Sequence, residues 1–177
     1  MESLEHGRHS SHDPFLLTVP RLDRLETLTI RSPSSDCISE LTELFGSPAP
    51  LLQKLAIHFY SQGTRAVIES TMLNGDFSSS RELRLSRILT SLPWQDLSNL
   101  ATFDFPQGNK TSVTQLLDFF ERAPLLHKIK LLDSLPHSSD APSKRVVFLP
   151  RLRLLKISAQ PAHSILLNHL RTPTGAL

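Results

Sequence analysis

The chain is poor in cysteine, glycine and aromatic residues, and each shortage closes off a class of function. A lone cysteine, Cys37, excludes an internal disulfide and suits a reducing compartment. Six glycines leave little material for a backbone cradle around phosphate. No run of about 18 apolar residues is present to span a membrane. The leading stretch MESLEHGRHSSHD has no apolar centre, so it is no secretory signal peptide. The glycosylation sequon at Asn109 therefore reads as a chance match, and the expected location is cytoplasm or nucleus. A formal charge of +2 provides no global field for nucleic acid.

Enzyme signatures are also missing. The sequence holds no G-x-S-x-G elbow, no phosphate loop, no G-x-G-x-x-G and no H-E-x-x-H. Carboxylates occur singly, and no pair is placed as an acid/base couple. The expectation is a protein that is not an enzyme and needs no cofactor. His6, His9 and His12 share a helical spacing that suits a divalent metal, but Gly7, Ser10, Ser11 and Pro14 disfavour a helix, and the stretch reads as a flexible lead over residues 1–19.

Leucine is what the chain does have, and it recurs in a fixed pattern. The stretch TSVTQLLDFFERAPLLHKIKLL, residues 111–132, shows the unit. Val113, Leu116, Leu117 and Phe120 fall on one helical face, with Thr111 or Ser112 as cap and Ala123-Pro124 as stop. Leu126, Ile129 and Leu131 then follow as L-x-x-I-x-L, a short strand with one buried face. Such a unit cannot bury its apolar faces alone and needs copies on either side.

The copies are Leu25-Leu28-Ile30, Leu52-Leu55-Ile57, Leu100-Phe103-Phe105 and Leu152-Leu155-Ile157, with a weaker one, Ser80-Leu83-Leu85, that opens on serine. Their middle residues, 28, 55, 83, 103, 129 and 155, are separated by 27, 28, 20, 26 and 26 residues. A leucine-rich repeat has a period of roughly 20–29 residues. The expected fold is an α/β leucine-rich-repeat solenoid over residues 20–177. It has about six irregular repeats, a parallel sheet on the concave face, and helices or turns on the convex face.

Between the strands, residues 37–45 read as a helix behind a Ser-Pro turn, with Cys37 as a small buried residue or, at a helix start, an activated thiol. Residues 64–73 read as a second helix carried by Val67, Ile68, Met72 and Leu73. Residues 88–98 are too short for a full helix and predict a helical turn burying Leu89, Leu92 and Trp94. Trp94 reads as core filling or a binding hot spot. Residues 136–144 read as a surface loop. Pro161 opens a last helix whose face carries Ala162, Ile165, Leu166, His169 and Leu170. Neither end shows a polar cap for the solenoid, so the chain is expected to be part of a longer protein or a shortened relative of one.

The segments ERAPLLHKIKL and LPRLRLLKIS resemble leucine-rich repeats, and more narrowly the irregular repeats of F-box proteins from mushroom-type fungi. The resemblance runs from Leu22 to Leu170. It implies a substrate-selecting domain of an F-box type ubiquitin ligase subunit. Two departures stand out. The position that carries Asn or Cys in regular repeats holds Pro33, Tyr60, Ile88, Gly108, Ser134 and Gln160, so the asparagine ladder is absent. No F-box precedes Leu22, so a Skp-type adaptor is a partner only if an F-box exists elsewhere in the gene product.

Strand alternation assigns the outward residues. One row is Thr27, Lys54, Glu82, Thr102 and Lys128; the next is Thr29, Ala56, Arg84, Asp104, Lys130 and Lys156; a third begins Arg31, His58 and Ser86. Lys54, Glu82, Arg84, Asp104, Lys128, Lys130 and Lys156 are the candidate residues for binding a protein partner on the concave face. Within them Lys128, Lys130 and Lys156 read as a patch for an acidic segment or as an ordinary solvated face. The alternatives to a ligase subunit are a free-standing repeat scaffold and a GTPase regulator. Nucleic acid and membrane are not expected partners.

Overall fold

A computed structural model describes residues 22–32, 46–60, 66–68, 77–90, 97–106, 111–132, 144–158 and 161–173. The amino-terminal lead with its histidines, the helix expected over residues 37–45, Trp94 and most of the loop at 136–144 lie outside the described residues.

The chain forms a parallel-sheet solenoid with few helices. Six strands, β1 (Thr27–Ser32), β2 (Lys54–Phe59), β4 (Glu82–Ser86), β6 (Thr102–Asp104), β7 (Lys128–Leu131) and β9 (Leu154–Ile157), build the main sheet in that order. All five pairings are parallel, and each strand lies beside the next of the six in the chain. The pattern that sets them is the alternation of buried and outward residues. Leu55, Leu83, Phe103 and Ile129 are fully buried and lie opposite one another in register. Ile57, Leu85 and Leu131 form a second buried row. Each such side chain withdraws enough apolar surface to contribute about 1.5–3 kcal/mol.

A turn precedes each of the six strands of the main sheet, and it repeats. The amide of Leu25 donates to the carbonyl of Leu22, Leu52 to Ala49, Ser80 to Phe77, Leu100 to Leu97, Leu126 to Ala123 and Leu152 to Leu149, at 2.9–3.2 Å. Leu22, Ala49, Phe77, Leu97, Ala123 and Leu149 are all buried. The structural repeat therefore has a buried position three residues before the triplet visible in the sequence. In the first copy this turn is a 3-10 helix, Leu22–Arg24.

The return segments differ from expectation in two places. Residues 64–73 suggest a helix, but Ala66–Ile68 is a strand, β3. It pairs in parallel with β5 (Ile88–Thr90), which lies where a helical turn was expected. Val67, Ile68, Ile88 and Thr90 are β-branched, and that stiffness favours the extended form over a helix too short to nucleate. Arg87, between β4 and β5, adopts a positive φ of 58° and turns the chain from one sheet into the other.

Between β6 and β7 the return is a true helix, α1 (Val113–Glu121). Ser112 caps it: its hydroxyl accepts from the Gln115 amide at 3.1 Å, and the Gln115 side chain accepts from the Ser112 amide at 2.9 Å. The helix buries Val113, Leu116, Leu117, Phe119 and Phe120. Phe119 lies against Phe103 of the sheet, ring centroids 4.4 Å apart, and Phe103 stacks on Phe105 at 5.5 Å. Beyond β7, β8 (Val147–Phe148) pairs with β10 (Leu170–Arg171), which follows the last helix, α2 (Pro161–Asn168). Arg145 ties this end to α1 by ion pairs to Asp118 and to Glu121 at 2.7 Å, and these raise its already high pKa further. His169 sits after α2, not on it; its Nδ1 donates to the Arg145 carbonyl at 2.6 Å.

Candidate functional site

The outer face of the six-stranded sheet carries the candidate residues in continuous rows. Register makes Thr27, Lys54, Glu82, Thr102 and Lys128 successive partners, and Leu154 completes the row on β9. Thr29, Ala56, Arg84, Asp104, Lys130 and Lys156 form the row above it. Arg31, His58 and Ser86 begin a third. Adjacent strands lie about 4.8 Å apart, so charges on neighbouring strands interact directly. None of these outward residues is buried.

The central strands are internally neutralised. Glu82 pairs with Arg84 two residues along the same strand, Nε to Oε1 at 2.5 Å. Asp104 pairs across to Lys130 at 3.4 Å. Lys130 is therefore committed to a carboxylate and contributes less to a basic patch than its sequence position suggested. Lys54, Lys128 and Lys156 make no ion pair with a described carboxylate. The flanks of the face are thus cationic and its centre is balanced. Such exposed pairs contribute only about 0–1 kcal/mol to stability, so their arrangement matters more for what the face attracts than for folding.

His58 stands in the third row, half-buried. Burial pushes its imidazole below the ordinary 6.5, and the neighbouring Arg31 and Arg84 push it the same way, with Asp104 opposing. It is held neutral among arginines, which preserves the positive balance without adding to it.

Alternation along strands, the rule that found these rows, says nothing about the rim of the sheet. There the structure brings together Arg81, His127, Arg151 and Arg153 around a groove of about 840 Å3. Arg81, His127 and Arg153 each directly precede a strand, so aligning the copies one position further back would have exposed them. No group of three or more potential ligands is placed to hold a metal ion among the described residues. No described helix is long and apolar enough to cross a membrane. No protein-family model, curated protein or solved structure matches this chain.

Proposed function

We propose that the chain is a protein-recognition module of six irregular leucine-rich repeats, and that the outer face of its main sheet is the binding surface. The observation that carries this reading is the unbroken register of outward side chains across six parallel strands, over a sheet whose other face is buried on its four central strands and partly buried on its two edge strands. The repeat spacing and the buried triplets support the leucine-rich-repeat assignment. A rigid sheet that presents in-register side chains is suited to matching one partner surface, with Lys54, Lys128 and Lys156 steering an acidic partner and Glu82, Arg84, Asp104 and Lys130 setting the pattern it must complement.

By its resemblance, the module selects substrates for an F-box type ubiquitin ligase in the cytoplasm or nucleus, and a Skp-type adaptor joins only through an F-box elsewhere in the gene product. The test compares proteins captured by the chain and by a Lys54→Glu, Lys128→Glu, Lys156→Glu variant. A partner whose recovery falls about ten-fold, equivalent to about 1.4 kcal/mol, supports the reading. Recovery unchanged by the triple reversal overturns it.

A further inference from the structure

At the rim where the main strands begin, one more position repeats: Glu26, Gln53, Arg81, Ala101, His127 and Arg153. The backbone here is fixed. The carbonyl of Gln53 accepts from the amides of both Arg81 and Glu82, that of Arg81 from Ala101 and Thr102, that of Ala101 from His127 and Lys128, and that of His127 from Arg153 and Leu154, all at 2.8–3.2 Å. Side chains leaving this rim therefore start from a rigid frame.

Between Arg81 and Arg153 the rim holds the groove of about 840 Å3, a volume typical of a ligand site. The charged side chains among its described lining residues are all basic, Arg81, Arg151 and Arg153, each of them exposed, with no carboxylate beside them. None of the three arginines enters a described ion pair. The His127 ring is oriented, since its Nδ1 lies 2.6 Å from the Ala101 carbonyl, which can only accept; Nε2 of the neutral ring is then the acceptor left for an N–H of a ligand. Leu125 and Pro150 add apolar wall.

We propose that this groove binds an extended acidic peptide segment, with its carboxylates on Arg81, Arg151 and Arg153 and a backbone N–H of the peptide on His127 Nε2. The spacing fits. Arg81 and Arg153 lead into strands three steps apart, about 14 Å, and an extended peptide rising about 3.3 Å per residue covers that in roughly four residues. Alternate side chains of such a peptide share one face, so acids at every second position meet the basic rim while the residues between them contact Leu125 and Pro150. Guanidinium groups suit this task because they bind carboxylates through two parallel hydrogen bonds. Nucleic acid is a poorer match: among the described lining residues no Phe, Tyr or Trp is placed to stack on a base. This surface is separate from the outer sheet face and does not depend on that face binding anything.

The test is fluorescence anisotropy on the full chain with a labelled Glu-Leu-Glu-Leu-Glu peptide, its Gln-Leu-Gln-Leu-Gln counterpart and a labelled oligothymidylate. The acidic peptide is expected to bind the chain, with affinity about ten-fold weaker for the Gln peptide and for an Arg151→Glu, Arg153→Glu variant. An Arg81→Gln variant, which adds no charge repulsion to the fold, is expected to weaken it as well. Absence of binding, equal binding of the Gln peptide, or tighter binding of oligothymidylate overturns the proposal. So does loss of binding in Lys128→Glu, Lys156→Glu with no loss in the arginine variants, a result that moves the acidic segment to the sheet face and leaves the recognition reading standing.

Discussion

The Ser80 hydroxyl donates to the Leu52 carbonyl across 3.1 Å, joining two residues 28 positions apart at equivalent places in successive repeats. Serine interrupts the leucine pattern there, yet Ser80 is 1% exposed and sits in the core beside its apolar counterparts. The hydrogen bond is what allows a polar side chain at that depth. Ser80→Ala, which conforms better to the apolar pattern, is therefore expected to destabilise the protein by about 1–3 kcal/mol, because it strips a buried carbonyl of its donor. Urea denaturation of the two proteins checks this.

Phe119 joins α1 to the sheet through Phe103, and both rings are fully buried. Phe119→Ala leaves a cavity between helix and sheet and is expected to lower stability by about 3–5 kcal/mol. Thermal melts of the variant and the parent protein check this, and an unchanged midpoint would contradict it.

At Arg87 the backbone holds a left-handed conformation at φ 58°, while its guanidinium donates to the Tyr60 carbonyl at 3.3 Å. A β-branched residue tolerates that φ poorly. Arg87→Val is expected to destabilise by about 1–3 kcal/mol. Arg87→Gly loses the same side chain but accepts the backbone, so it is expected to cost less than the valine variant. Chemical denaturation that ranks glycine below valine would show that side-chain contacts, not backbone geometry, set the site.

His58 has a folded-state pKa below its unfolded value near 6.5. The unfolded chain then binds more protons than the folded one in the window just below 6.5, so stability rises with pH through that window and is lost as the pH falls. His58→Gln is expected to flatten this part of the pH–stability profile. Unfolding free energies measured from neutral pH down to about 5 provide the check, and an unchanged slope in the variant would assign the effect to other groups.

The sheet was legible because its signal is repeated: Leu55, Leu83, Phe103 and Ile129 occupy one site in successive copies, and their spacing alone aligns Lys54, Glu82, Thr102 and Lys128 beside them. The return segments were less legible because each occurs once. Three residues, as in Ala66–Ile68, are too few to show a period, and the extended form that their β-branched side chains favour is completed by pairing with Ile88–Thr90. The first buried position of each repeat was obscured because Leu, Ala and Phe all fill it, as at Leu22, Ala49 and Phe77. Charge pairing was invisible for a different reason. Asp104 and Lys130 lie far apart in sequence and meet only because β6 and β7 are neighbours. The basic groove required turns and strand ends together, which an alternation rule does not describe.

The most direct test of the recognition reading is site-specific photo-crosslinking from two positions on the intact chain. One is Thr102, central on the outer sheet face; the other is Leu167, exposed on α2. The sheet-face account expects a partner that crosslinks from Thr102 and not from Leu167, with the crosslink lost in the Lys54→Glu, Lys128→Glu, Lys156→Glu variant. A partner that crosslinks from Leu167 and not from Thr102 would contradict it.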